Sequence, residues 1–177
     1  MSKTCAAITA LALGLGGCTS IGQIPTAQLA SGTLRSANGA PAGTVVLVAA
    51  GDDVTINVAV IGLPQGTHGL HLHMIGSCDA PGFASAGAHL NPHGLQHGTA
   101  NPAGSHLGDL PNIVADSYGA GTVTATLRDT RAALETALFD ADGTAIVIHA
   151  DPDDNRTNPS GNSGARIACG VLRPGAR

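Results

Sequence analysis

The stretch Gly66-Thr67-His68-Gly69-Leu70-His71-Leu72-His73 decides how the rest of the chain is read. It places three histidines within six residues, the last two spaced i, i+2. On a β-strand that spacing puts both imidazoles on one face. The segment 89–109 adds His89, His93, His97, His106 and Asp109, and His149 closes an apolar, strand-like run. Eight histidines, nearly all in two clusters and one strand, point to a metal site. Imidazole suits zinc, copper, iron and nickel, so residue type alone does not choose the metal.

Around this stretch the chain reads as all-β. Its 177 residues fit one domain plus a leader. Aromatic residues make up only 2%, so the core must be built from Val, Ile, Leu and Ala. Twenty-five glycines and ten prolines imply many turns and few long helices. Runs at 44–48, 54–60, 68–73, 122–127, 145–149 and 166–172 have strand character, and Val54 to Val60 alternates as a half-buried strand does. Only 131–138 has helical character. Short strands separated by turns argue for a β-sandwich or barrel. Two segments resist this pattern. Residues 74–112 and 150–165 are rich in Gly, Pro, Asn and Asp, and loops this long inside a compact domain are uncommon unless they are functional or held by a ligand. No Lys/Arg run is present, which argues against a nucleic-acid surface.

The N-terminus reads as a targeting segment. Lys3 is a short positive region and 5–15 a small apolar one, too short to span a bilayer. Leu15-Gly16-Gly17-Cys18 resembles a bacterial lipobox, which predicts a signal peptide at 1–17, lipid on Cys18 and a tether at 18–26. The domain then occupies 27–177. Thr19 after the cysteine resembles the pattern sorted to the outer membrane. The alternatives are an ordinary secretory leader or an unprocessed soluble start. Export implies an oxidising compartment, so Cys78 and Cys169 are expected to form one disulfide, the alternative being two buried free thiols. Without Lys3 the basic residues are seven arginines against twelve acids, a net charge of −5.

Four blocks carry a resemblance to a known family: Gly66 to His73, Ser85-Ala86-Gly87-Ala88-His89-Leu90-Asn91-Pro92, His106-Leu107-Gly108-Asp109-Leu110, and Gly161-Asn162-Ser163-Gly164-Ala165-Arg166-Ile167-Ala168-Cys169-Gly170. Together they resemble the copper/zinc superoxide dismutases, secreted bacterial branch, over roughly residues 27–173. The resemblance implies a Greek-key β-barrel or sandwich of about eight antiparallel strands with two long functional loops. It implies one copper ion per subunit held by His71, His73, His89 and His149, and one zinc ion held by His89, His97, His106 and Asp109. His89 is then shared between the metals. Such sets are chemically apt, since imidazoles suit Cu(II), while three His and one carboxylate suit a closed tetrahedral zinc site. The resemblance makes Asp153 a link between His71 and His97, and makes Arg166 the residue that attracts and orients superoxide. Copper then cycles between Cu(II) and Cu(I), and His89 takes a proton when it parts from copper. Superoxide would leave as oxygen and hydrogen peroxide, which protects the cell envelope.

With no lysine in the mature chain, attraction of the anion falls to Arg166 and the metals, with Arg156 a second candidate. His68 is expected to be packed and hydrogen-bonded, and His93 exposed. The competing readings are a non-catalytic copper/zinc-binding envelope lipoprotein, a zinc hydrolase, and a structural β-domain. Relatives include monomers and dimers, so a homodimer stays open.

Overall fold

The computed structural model describes residues 26–175. The predicted leader (1–17), Cys18 and the tether up to residue 25 lie outside the described residues. Ten strands and one α-helix follow in order among the described residues: β1 (Thr26–Ser36), β2 (Pro41–Ala50), β3 (Asp53–Val60), β4 (Gly66–His68), β5 (Leu70–His73), β6 (Ile113–Ala115), β7 (Gly121–Thr126), α1 (Arg131–Leu138), β8 (Ala145–His149), β9 (Arg166–Val171) and β10 (Arg173–Pro174), with a 3-10 turn at Ala84–Ala86. Eight strands form one antiparallel sheet in the order β5–β8–β9–β1–β2–β3–β7, with β10 on β1, and the sheet curls into a half-barrel. β4 and β6 pair separately.

The curl encloses an aliphatic core, as the shortage of aromatics requires. Val45, Leu47 and Ala49 of β2 stand opposite Val58, Ile56 and Val54 of β3, and all six are buried. Directly opposed β-branched and aliphatic pairs are what stabilises such a ladder. α1 is capped by the Thr130 hydroxyl, which accepts from the Ala133 amide, and it buries Leu134 and Leu138 on one stripe.

The β8 strand is buried on both faces, and this positions the site. Ile146 and Ile148 face the main core, while Ala145 and Val147 join a second, smaller cluster with Phe83, Ala86 and Cys169. That cluster lies under the segment after β5. The disulfide Cys78–Cys169 pins this segment to β9.

The expected strand at 68–73 is interrupted. Gly69 separates β4 from β5, which belong to different sheets. Its amide donates to Asp151 O at 2.9 Å, and its carbonyl accepts from the His149 amide at 2.9 Å. A β-carbon at Gly69 would stand 2.8 Å from Ser163 Cβ, so only glycine allows this approach. The strand β1 precedes the first run with strand character, and α1 and β8 fall at the expected bounds.

The disulfide joins residues 91 apart, and closing such a loop is worth about 4.6 kcal/mol on the chain-entropy estimate. Cys169→Ser should therefore lower the denaturant midpoint by the equivalent of roughly 2–5 kcal/mol. An unchanged unfolding curve would contradict the view that this bridge holds the segment after β5.

Candidate metal centre

Strand register assembles half of the centre. In antiparallel pairing, directly opposed residues share a face. His71 lies opposite Val147 and His73 opposite Ala145. All four therefore point away from the main core, to the side on which His149 ends β8. After a register shift, His149 pairs with Arg166 of β9. Three histidines and the arginine thus lie on the outer face of β5, β8 and β9.

The long loop supplies the rest by using the open edge of β5. Leu72 donates to Gly108 O at 2.9 Å and accepts from the Leu90 amide at 2.8 Å. Isolated bridges join His73 to His89 and His71 to Asp109. The flanking residues of the loop are in this way carried to the histidines of the strand.

Four of the rings are fixed from behind. His73 Nδ1 donates to Gly87 O at 2.9 Å and His149 Nδ1 to Gly164 O at 3.2 Å. Carbonyls only accept, so both rings carry their proton on Nδ1 and present a bare Nε2. His71 Nε2 and His97 Nε2 both bond the Asp153 carboxylate, at 2.8 and 3.0 Å. Their free nitrogens are Nδ1. Six buried nitrogens have no hydrogen-bond partner among the described residues: His71 Nδ1, His73 Nε2, His89 Nε2, His97 Nδ1, His106 Nδ1 and His149 Nε2. Buried polar atoms are nearly always partnered, so six in one place mark positions that a cation satisfies.

These atoms fall into two groups. The donors of His71, His73, His89 and His149 all lie within 4.8 Å of one another. On the other side, Asp109 Oδ1 lies 3.1 Å from His89 Nδ1, 3.0 Å from His97 Nδ1 and 3.2 Å from His106 Nδ1. Tetrahedral zinc with bonds of 2.0–2.1 Å has ligand–ligand edges of about 3.3 Å, so these spacings fit a zinc ion. Distance alone also gathers His71 with His89, His97 and Asp109 in place of His106. His71 already uses Nε2 on Asp153, and its Nδ1 serves the first group. His106 has a free Nδ1 beside Asp109, so it is the better fourth member.

The electrostatics agree with this division. Burial lowers His73 to about 2, His149 to about 3 and His71 to about 4, the last against the opposing bond from Asp153. All three are neutral at pH 7, as metal ligands must be. Asp153 is pulled below the usual carboxylate range, because its bonds to His71 and His97 outweigh its burial. His97 moves the other way: burial lowers it, but the adjacent Asp109 and Asp153 carboxylates outweigh that and raise it to about 9. A divalent cation held there would take the place of that proton on Nδ1.

Arg166 stands at the mouth of the first group. It lines a cleft of about 640 Å³ together with His89, His149, Ala88, Ser160 and Gly164. Its Nη1 donates to Phe83 O and its Nη2 to Gly87 O, both at 2.7 Å. Phe83 adopts φ 53°, a left-handed conformation that is costly for a bulky residue. Gly87 O thus serves both His73 and Arg166.

The two other histidines behave as expected. His68 is buried, with Nδ1 facing His149 O and Nε2 facing Pro64 O at 2.9 and 2.8 Å. His93 is exposed and pairs with Asp129 at 2.8 Å. Sequence reasoning missed Asn112, whose amide both donates to Asp153 O and accepts from the Asp153 amide, at 2.9 Å each. It also missed Gly161. A β-carbon there would collide with the Asp153 carboxylate, and its φ is +63°. Gly161 lies inside a quoted motif, whereas Asn112 carries no signal apart from following Asp109 closely.

Comparison with known proteins agrees with this geometry. A family model described as copper/zinc superoxide dismutase matches residues 41–172. The superoxide dismutase [Cu-Zn] of Caulobacter vibrioides is 39% identical, over 93% of this chain and 97% of that one. Superoxide dismutase [Cu-Zn] 2 of Aquifex aeolicus is 40% identical, over 79% of this chain and 84% of that one. Among solved structures, a superoxide-dismutase-like protein from Bacillus subtilis superposes with a TM-score of 0.76 at 37% identity, covering 83% of this chain and 100% of its own. Fold, donor geometry and these relatives lead to one conclusion: the chain belongs to the copper/zinc superoxide dismutase family.

Proposed function

We propose that this protein dismutes superoxide to oxygen and hydrogen peroxide, using copper at His71, His73, His89 and His149 beside zinc at His89, His97, His106 and Asp109. The observation that carries this reading is the set of six buried, unpartnered imidazole nitrogens converging on two points bridged by His89. When bound, copper supplies one-electron redox chemistry, while zinc holds the loop and polarises the shared ring.

The chain's own residues do the rest. Two of the five guanidinium donors of Arg166 are tied to carbonyls, which leaves the others for an anion in the cleft. Burial lowers the Arg166 pKa, but a guanidinium stays charged at neutral pH. The named neighbours in the cleft are small, uncharged side chains and the two imidazoles, with no other basic side chain, so Arg166 provides its positive charge. Access to the metal is narrowed without any acidic residue that would repel the substrate. His89 Nε2 is the atom placed to take up and return a proton, because its Nδ1 stays fixed on the zinc side. Asp153 holds Nδ1 of His71 toward copper and Nδ1 of His97 toward zinc, so one carboxylate orients a ring in each site. A non-catalytic metal buffer has no use for an arginine held by two carbonyls at the cleft mouth. We also read 1–17 as a signal peptide and Cys18 as the lipid anchor of an outer-membrane, periplasm-facing protein, on the Leu15-Gly16-Gly17-Cys18 sequence.

The test is metal analysis with a dismutation assay after copper and zinc are restored. One copper, one zinc and rapid dismutation support the proposal, whereas bound metals without activity favour the buffer. Arg166→Ala should lower kcat/KM and weaken its dependence on salt while metal content stays intact. Unchanged steady-state kinetics in that variant would remove the steering role. Asp153→Asn should weaken zinc binding by roughly 10–100-fold, the usual cost of losing an outer hydrogen bond to a metal ligand. Gly161→Ala should weaken zinc in the same way by displacing that carboxylate. Competitive chelator titration reads both, and wild-type zinc affinity in Asp153→Asn would contradict the orienting role.

A further inference from the structure

The six histidine ligands are not held equally. His71 and His97 are tied through their outer nitrogens to Asp153, His73 to Gly87 O and His149 to Gly164 O. Both nitrogens of His89 are committed to the centre. His106 alone has no outer partner among the described residues. Its Nδ1 is buried and unpartnered, whereas its Nε2 is neither hydrogen-bonded nor sealed from solvent. The side chain is 9% exposed, against 0% for His97 and 1% for Asp109. Outer-shell partners fix ring orientation and raise ligand affinity, so the ring without one is the most easily displaced.

A second cleft, which adjoins the one at Arg166 along Ala88, His89 and Pro159, opens on this same ring. It has a volume of about 420 Å³ and is lined by His106, His89, Met74, Ala137, Asp140 and Asp142. Met74 is 45% exposed. Asp140 accepts from the Asp142 and Gly143 amides and so shapes the turn before β8. The Asp142 carboxylate makes no hydrogen bond among the described residues and lies at the surface. A cleft with carboxylates at its rim concentrates cations and raises their rate of arrival. The cleft at Arg166 carries positive charge instead and suits an anion.

We propose that zinc enters and leaves at His106, which acts as the gate ligand, and that the Met74–Ala137–Asp142 cleft is the path of the divalent cation. On release, His106 would let go first, and His89, His97 and Asp109 afterwards. Uptake runs in reverse, with His106 closing last. Superoxide and zinc thus use opposite-charged openings on two sides of His89. This inference rests on His106 being a zinc ligand.

The experiment follows zinc alone, by stopped flow with a chromophoric chelator, on the copper-free protein. Ala137→Trp narrows the cleft without replacing a ligand. It should slow both uptake and release by about tenfold, the effect of ~1.4 kcal/mol on the barrier, with the equilibrium zinc affinity unchanged. Asp142→Asn, a conservative surface change, should slow uptake and flatten its salt dependence while leaving release as it was. Wild-type uptake and release in both variants would overturn the gate and its path. His106→Ala separates this outcome from failure of the ligand assignment. Lost zinc affinity in His106→Ala with unaltered exchange in the other two variants leaves the ligand standing and removes the route. Full zinc affinity in His106→Ala removes both.

Discussion

Six imidazole lone pairs aimed at two points repel one another, and a protein holds them so only if most of the rings are fixed from outside. The Asp153 carboxylate is the strongest of these restraints. One of its oxygens bonds His71 and the other His97, so a single side chain sets a ring on each side of the centre. The backbone of Asp153 is held by the two-way clasp of Asn112, and its carboxylate accepts from the Asn155 amide at 2.6 Å. Gly161 leaves the room that this carboxylate fills. Take away the carboxylate and both rings are free to turn their other nitrogen inward. The centre then loses the orientation that makes it a binding site.

The rest of the fold can be seen as the means of bringing these groups together. The β-barrel core of Val, Ile and Leu contributes no ligand, but it fixes the register of β5 against β8. That register puts His71, His73 and His149 on the outer face. The loop after β5 completes the set by adding backbone hydrogen bonds to the open edge of β5. It is anchored at its start by Cys78–Cys169 and the small cluster around Phe83. Those anchors also aim the Phe83 and Gly87 carbonyls at Arg166. The histidine cluster and Arg166 therefore share one loop, and the Gly87 carbonyl is the atom they have in common.

Much of this was legible in the residues, for physical reasons. The i, i+2 spacing of His71 and His73 is a statement about one strand face, and β5 has that face buried. The apolar run at 145–149 and the helical stretch at 131–138 fall where they were expected, because their patterns are local. What was not legible depends on contacts distant in sequence. Gly69 looks like one residue of a strand, but Asp151, Ser163 and His149 require a break there. β1 hides because it buries only Ala30 and Leu34, with a register shift between Gln28 and Ala30 that erases the period of two. Asn112 acts through the backbone of a residue 41 positions away, and nothing in its own neighbourhood announces that. The proposed ligands themselves follow from the resemblance of four blocks. Their free nitrogens, and the unequal hold on His106, needed the coordinates.

The central claim is that His89 is shared between two metals. The most direct test is the electron paramagnetic resonance of Cu(II) in protein carrying cobalt(II) at the zinc position. If one imidazolate joins the two ions, their spins couple and the isolated copper signal is lost or strongly broadened. A copper signal identical to that of the protein with zinc in the same position would contradict the shared ligand.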